Sequence, residues 1–250
     1  MRAGSFLDSL NELNNALYQG IKDFKGFKVL TSYSNNSGIL IGLYQYGSDT
    51  LFAIKGTDVL TGKVSDRLAD LLLSDIPMLF KKAPQQYESA KNFYESIKDQ
   101  YQNIIFTGYS LGGTIAQMLG NEFGNETYTF EAFPAGELVS PKHTENIYNF
   151  GNVYDGIFMY NPANHLGKVL IIPIQPEGKE LRHIKHHIYP YGKPSTAKVP
   201  DYLLLDNKAY VKRLVSNQTK QAKDYVTKGV IPSVKDRVEQ VSKELKKHHN

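Results

Sequence analysis

One serine in the sequence has the neighbours that a nucleophile needs. Ser110 lies in IIFTGYSLGGTIAQMLG, with Gly108 two residues before it and Gly112 two residues after it. A serine in a G-x-S-x-G turn between a strand and a helix can attack an ester carbonyl, because the small residues allow the sharp turn that exposes its hydroxyl. The apolar run before Ser110 predicts the strand, and the run after it predicts the helix, whose first amides would face an oxyanion. The alternative is a buried strand, turn and helix in a protein that is not an enzyme.

Ser110 would need a general base, and the base would need an acid to orient it. In this arrangement the acid and then the histidine follow the serine along the chain. Asp155 ends the apolar segment IYNFGNVYD, and the cluster HIKHHIYPY contains His183, His186 and His187. The alternative for Asp155 is an Asx turn before the following glycine. For any one of the histidines the alternative is an incidental surface position.

The histidine cluster also raises the question of a metal site. His183 and His187 are four residues apart, but no cysteine and no glutamate of the HExxH type accompanies them, so we expect neither a metal nor a cofactor. The chain has no cysteine, which excludes disulfides and thiol chemistry. His143 and His165 are poorer candidates for the base, the first because it precedes Asp155.

Short apolar strands alternate with helical patterns along most of the chain. Helical spacing predicts helices over residues 5–19 and 84–101, the second with a proline at its start. Strands are predicted at residues 28–33, 39–46 and 104–107 and in LFAIKG, TYTFEAF, NIYNFGNVYD and KVLIIPI. This order predicts an α/β fold with a mostly parallel sheet, helices on both faces and an N-terminal antiparallel hairpin.

The composition is typical of a soluble globular protein, with 250 residues, 41% hydrophobic and 22% charged. No apolar run approaches the ~18 residues that a membrane span requires. Asp8 and Glu12 interrupt the apolar face of the N-terminal segment, so we expect no cleavable signal peptide. We expect a cytoplasmic protein or one exported by a secretion system that needs no signal peptide. Frequent Asn, Lys, Ile and Tyr resemble the composition of AT-rich bacterial genomes.

These motifs resemble those of the class 3 lipases, which have the α/β-hydrolase fold. GYSLGG resembles the family's GHSLGG, and FAIKGTD resembles its strand end F-R-G-[ST]. The resemblance implies that the backbone amides of Thr57 and Leu111 form the oxyanion hole. It also implies that Asp70, in DRLADLLLSD, supports the oxyanion loop.

The resemblance extends over residues 38–192 in the family's order. TYTFEAFPAGE resembles the strand T-F-G-x-P-x-x-G, and the segment around Asp155 resembles the strand with the catalytic acid. HHIYPY resembles a pattern of His, any residue, an aliphatic residue and Tyr, which implies His186 as the base and His187 as the alternative. Lys55 and Tyr109 stand where the family has arginine and histidine.

The function that the resemblance implies is a serine ester hydrolase for acyl lipids, either a phospholipase A or a lipase, that needs no cofactor. We expect a lipid substrate and no nucleic-acid partner. One alternative is a catalytically silent lipase-like module that binds a lipid or a protein. Another is an acyltransferase or thioesterase that uses the same triad.

The C-terminal residues 206–250 differ from the predicted catalytic domain, residues 1–205, in charge. They contain eleven Lys/Arg and five Asp/Glu, a net charge of +6, whereas the whole chain carries +4. Val234, Val238, Val241 and Leu245 have helical spacing, which predicts a helix that either packs one stripe on the domain or binds a membrane surface or a partner.

We expect deletion of residues 206–250 to weaken binding to anionic phospholipid vesicles, because each basic residue near such a surface contributes attraction. Sedimentation with anionic and with zwitterionic vesicles measures this. A truncated protein that keeps the full preference for anionic vesicles would contradict a role of the tail in membrane binding.

Overall fold

One mixed β-sheet runs through the part of the chain that the structure describes. The structure is a computed structural model, and the described residues are 1–2, 4–55, 76–152, 158, 162–172 and 203–204. The strands are β1 (Lys28–Ser34), β2 (Leu40–Tyr46), β3 (Asp49–Lys55), β4 (Ile104–Tyr109), β5 (Thr127–Phe130), β6 (Ile147–Asn152), β7 (Lys168–Ile172) and β8 (Leu203–Leu204). The helices are α1 (Gly4–Ala16), α2 (Ile76–Ile97) and α3 (Leu111–Phe123), and a short 3-10 turn, Leu17–Gln19, follows α1.

Each strand of the sheet pairs with the next strand in chain order. β1, β2 and β3 are antiparallel, β3 to β7 are parallel, and β8 is antiparallel to β7. The predicted hairpin and the mostly parallel sheet are therefore confirmed. We call the edge at which β3 to β7 end the carboxyl edge, and the opposite one the amino edge.

The two faces of the sheet are covered by different helices. On one face α2 and α3 enclose an apolar cluster with β3 and β4, which includes Phe52, Ala90, Tyr94, Phe106 and Ile115. On the other face apolar residues of α1 share a buried cluster with Leu51, Ala53, Ile105, Tyr128 and Phe150. Because successive strand residues point to opposite faces, both faces of these strands are apolar and buried. The prediction of helices on both faces is confirmed.

The helix α2 begins earlier than the sequence pattern predicts. It starts at Ile76, eight residues before Pro84, and ends at Ile97. A proline is well tolerated in the first turn, where Pro77 lies, because the amide that it lacks has no partner there. Pro84 lies inside the helix and removes one backbone hydrogen bond. The prediction used Pro84 as the helix start and was therefore wrong at that boundary.

Polar side chains fix α1 on the sheet. Asn14 is buried and donates through Nδ2 to Oγ1 of Thr107 on β4, at 2.7 Å, and to the carbonyl of Leu10, at 2.9 Å. Asn11 is also buried in this interface. A hydrogen bond between buried side chains sets one position of α1 along β4, whereas apolar contacts alone would tolerate several.

At the amino edge Arg2 joins the first residues of the chain to two strands. Its guanidinium is 2.8 Å from the carboxylate of Asp49, at the start of β3, and 3.1 Å from that of Glu126, just before β5. Its backbone amide donates to the hydroxyl of Tyr128 at 3.0 Å, and that hydroxyl donates to Glu126. Burial opposes ionisation of Glu126, but hydrogen bonds from Arg2 and Tyr128 outweigh it and hold the pKa of this carboxyl below its usual value.

We expect Arg2→Met to lower the free energy of unfolding at pH 7 by about 1–2 kcal/mol. A carboxyl whose pKa is lowered by folding stabilises the fold above its unfolded-state pKa and loses that effect as the pH falls through its folded-state value. The difference between Arg2→Met and wild type should therefore shrink in acid. Urea denaturation at several pH values measures it.

A matched control for Arg2 is Lys25→Met, which removes an exposed ion pair with Glu12, at 2.5 Å. It should change stability by no more than about 0.5 kcal/mol. An Arg2→Met effect that is equally small, or that persists unchanged in acid, would contradict the stabilising role of the network.

Candidate active site

The backbone of Ser110 has a conformation that residues other than glycine rarely adopt. β4 ends at the preceding residue, Tyr109, and α3 begins at the following one, Leu111. Ser110 has φ 52° and ψ −125°. Such strain persists only where the surrounding structure enforces it, and it is concentrated at functional sites. A serine on a sharp, strained turn from strand to helix is the nucleophile elbow of α/β-hydrolases.

Close backbone contacts enforce this turn. The amide of Ser110 donates to the carbonyl of Phe130 on β5 at 3.0 Å, and its carbonyl accepts from the amide of Thr114 at 3.0 Å. A Cβ on Gly108 would lie 2.3 Å from the carbonyl carbon of Gly112. Real Cβ atoms do not come this close to another heavy atom. Only glycine therefore fits at position 108, two residues before the serine.

The Ser110 side chain does not serve as a helix cap. Serine before a helix ordinarily caps it by accepting a hydrogen bond from one of the first amides. Ser110 makes no such bond, although it lies directly before α3, and it is 3% exposed. The Ser110 side chain therefore lacks the capping role that a serine ordinarily has before a helix.

Leu111 is the residue whose amide the sequence analysis predicts as an oxyanion donor. It is the first residue of α3 and is buried. The amides of the first helical turn have no acceptor within the helix, and they form the positive end of its dipole. Its position fits the predicted role of its amide, which remains a prediction.

The strands that lead to the other predicted residues reach the same edge as Ser110. Lys55, the last residue of β3, pairs with Tyr109, and Phe130, the last residue of β5, pairs with Tyr109 on the other side. Phe130 in turn pairs with Phe150 on β6. The remaining predicted site residues lie outside the described residues: Thr57, Asp70, Asp155, His186 and His187. The triad and the second oxyanion donor remain predictions.

Two histidines outside the predicted triad have positions that do not suit a base for Ser110. His143 lies against Gly124 at the far end of α3, and a helix of 13 residues is about 20 Å long. His165 is buried in the connection that enters β7 from the amino edge, with Nε2 2.8 Å from the carbonyl of Phe158. The structure thus places these two histidines in surroundings other than those of Ser110.

Glu131 is a residue of this edge that the sequence analysis missed. It follows β5 directly, is fully buried and has φ 48°. Its amide donates to the carbonyl of Phe150 at 2.8 Å. Burying a carboxylate and holding a residue other than glycine at a positive φ both cost free energy, so Glu131 adds a second strained residue close to Ser110. The signal in the sequence is F-E-A, where the T-F-G pattern has glycine.

Gln117 was also missed, and it organises the loops around α3. It is fully buried. Its Nε2 donates to the carbonyl of Phe133 at 3.0 Å, and its Oε1 accepts from the amides of Ala135 and Leu166, each at 3.2 Å. One side chain therefore holds the loop after β5 and the connection before β7. The sequence shows only a polar residue in an apolar helix.

The described residues offer few alternatives to a site at Ser110. They contain no group of three or more His, Asp and Glu side chains placed to hold a metal ion. None of their helices is long and apolar enough to cross a bilayer. A cleft of about 410 Å³ opens beside Arg2, Lys98, Asn103 and Glu126. It lies at the amino edge and is separate from Ser110.

Comparison with known proteins gives partial likenesses to lipases. A stretch of 69 residues is 41% identical to "Putative lipase ATG15" of Debaryomyces hansenii, a match that covers 23% of this chain and 11% of that protein. The proteins of the same name from Meyerozyma guilliermondii and Candida albicans are also 41% identical over 69 residues. The matches thus cover only 11% or 12% of these relatives' length. No family model matches the chain.

Among solved structures, lipase II from Rhizopus niveus has a TM-score of 0.47 and 12% identity, with 68% of this chain and 80% of that one covered. A triacylglycerol lipase from Penicillium expansum has a TM-score of 0.45 and 14% identity, with 67% and 77% covered. These relatives and structures are fungal, so they give no support to the predicted bacterial origin.

We expect Ser110→Gly to be more stable than Ser110→Ala by about 1 kcal/mol, because glycine adopts a positive φ without strain. Urea denaturation of the two variants measures the difference. The matched control is Ser9, inside α1 with its hydroxyl bonded to the carbonyl of Ser5. There glycine should be less stable than alanine by about 0.5–1 kcal/mol. If alanine is more stable than glycine at position 110 as well as at position 9, the result would contradict enforced strain at Ser110.

Proposed function

We propose that the chain is a serine ester hydrolase that cleaves acyl esters of lipids. The observation that carries the proposal is the enforced conformation of Ser110, at φ 52° between β4 and α3, with a side chain that caps no helix. The 69 residues that are 41% identical to a protein named as a lipase support the choice of lipid esters.

The first half of the reaction forms an acyl-enzyme. The Oγ of Ser110 attacks the ester carbonyl while His186 takes its proton, and Asp155 orients the imidazole and stabilises its cation. The amides of Leu111 and Thr57 donate to the oxyanion, a contribution of roughly 2.7–4 kcal/mol per donor in comparable sites. The intermediate then collapses, the ester C–O bond breaks, and the histidine gives its proton to the leaving alcohol.

The second half returns the enzyme to its starting state. The same histidine takes a proton from water, the hydroxide attacks the acyl carbon, and the oxyanion forms again in the same place. The bond to Ser110 breaks, the fatty acid leaves, and the proton returns to the serine oxygen. None of these steps needs a metal or a cofactor.

For the substrate we propose a phospholipid first and a triacylglycerol second. The net charge of +6 over residues 206–250 favours an anionic lipid surface. A silent lipase-like module, which binds without cleaving, and an acyltransferase or thioesterase with the same triad are the rival functions.

The test is hydrolysis of a fluorogenic diacyl phospholipid, a triacylglycerol and a short-chain ester by wild type and variants. Loss of the nucleophile typically costs at least about 10³-fold in kcat. We expect Ser110→Ala and Asp155→Asn to be strongly impaired, and His186→Ala to lose activity while His187→Ala keeps it.

Ser9→Ala removes a serine hydroxyl on α1 and is the matched control, with activity like that of wild type. Wild type that cleaves none of the three esters would overturn the hydrolase proposal in favour of a silent module. Activity that survives in Ser110→Ala would overturn the role of this serine. Acyl transfer to an added alcohol or thiol, measured by product analysis, would favour the transferase.

A further inference from the structure

Three side chains from three separate elements lie close together next to the turn that contains Ser110. Tyr18 comes from the turn after α1, Lys55 is the last residue of β3, and Tyr109 is the last residue of β4. The Nζ of Lys55 lies 4.9 Å from the centre of the Tyr18 ring. The rings of Tyr18 and Tyr109 contact edge to face, with centres 5.9 Å apart and planes at 82°. Lys55 and Tyr109 are paired residues of the sheet.

These contacts join two strand ends that have separate tasks in the proposed reaction. Tyr109 precedes the nucleophile, Ser110, and Lys55 precedes the predicted oxyanion donor, Thr57, by two residues. β3 and β4 are held side by side by their backbone hydrogen bonds up to this point. Lys55 and Tyr109 are the last pair in the described register of these two strands.

Tyr18 is itself held in place by the fold. The turn Leu17–Gln19 closes with a hydrogen bond from the amide of Gly20 to the carbonyl of Leu17, at 3.1 Å. Just before it, α1 is fixed to β4 by the bond from Asn14 to Thr107. The ring of Tyr18 therefore has a fixed position, and it contacts the last residue of β3 and the last residue of β4.

We propose that Tyr18 and Lys55 are positioning residues of the active site. They act through Tyr109 to hold the serine turn in register with the end of β3, which precedes the predicted oxyanion donor Thr57. The inference rests on the proposed ester hydrolase function and assigns a positioning role to the turn that follows α1. The ammonium of Lys55 is attracted to the negative face of the Tyr18 ring. The edge of one tyrosine ring is attracted to the face of the other.

Loss of a positioning contact changes the kinetics in a way that differs from the loss of a contact that only stabilises the fold. Catalysis requires donors and nucleophile to keep their geometry within about 0.5 Å. A loosened register should therefore lower kcat and the rate at which the serine is acylated. KM should change little, because Tyr18 and Lys55 are proposed to position the site and not to contact the substrate. A purely structural contact would instead change the melting temperature and leave kcat per folded molecule unchanged.

The experiment compares variants that remove each interaction with variants that keep it. Tyr18→Leu removes the ring, and Tyr18→Phe keeps it. Lys55→Met removes the cation, and Lys55→Arg keeps it. For each, kcat and KM on a short-chain ester, the rate of labelling of Ser110 by a fluorophosphonate and the melting temperature are measured.

We expect Tyr18→Leu and Lys55→Met to lower kcat and the labelling rate in parallel, on the order of 10-fold, with KM near that of wild type. Tyr18→Phe and Lys55→Arg should retain most of the wild-type kcat. The double variant Tyr18→Leu/Lys55→Met should be no worse than the more impaired single variant, because the two side chains act as one unit.

The matched control is a second pair of the same kind, Lys25 above the ring of Phe24 at 5.7 Å, which lies before β1 and away from the carboxyl edge. Phe24→Leu and Lys25→Met should leave kcat and labelling unchanged. If Tyr18→Leu behaves like Phe24→Leu, or its loss of kcat is matched by loss of folded protein, the inference is wrong while the hydrolase function stands. If wild type neither cleaves esters nor reacts with the fluorophosphonate, the proposed function fails and the inference with it.

Discussion

The close approach of two backbones at the start of α3 is the constraint on which the rest of the site depends. Gly108 on β4 and Gly112 on α3 come nearer than a Cβ permits, and Ser110 between them is forced to a positive φ, which only glycine adopts without strain. Folding elsewhere must supply the free energy that this strain consumes. The parallel strands on both sides of β4, with apolar residues on both faces, are the source of that stabilisation.

Polar contacts decide where the elements around this constraint lie. Gln117 ties α3 to two loops, and Asn14 ties α1 to β4. Each bond is buried, so a shifted arrangement would leave a donor or an acceptor unpaired at considerable cost. Apolar packing stabilises the layers but is compatible with several alignments. The side-chain amides of Asn14 and Gln117 select one of them.

The sequence predicts the strands and the strand–turn–helix around Ser110 well, because both depend on local patterns. β1 and β2 lie within one residue of their predicted bounds, since apolar runs end at turn-forming residues. The predicted start of α2 is wrong, because the sequence pattern does not distinguish a proline in the first turn of a helix from one inside it. Glu131 and Gln117 were missed because their roles depend on contacts between segments distant in the chain. The choice between His186 and His187 depends on such contacts too.

The strand order has a consequence for how the molecule is made. In the described sheet each strand pairs with the strand that precedes it in the chain, so no strand must be inserted between two that are already joined. Domains form from the N-terminus during synthesis, and contacts between segments close in sequence form fastest. The sheet can thus be extended from β1 in the direction of translation, and each new strand finds its template already in place on the growing chain.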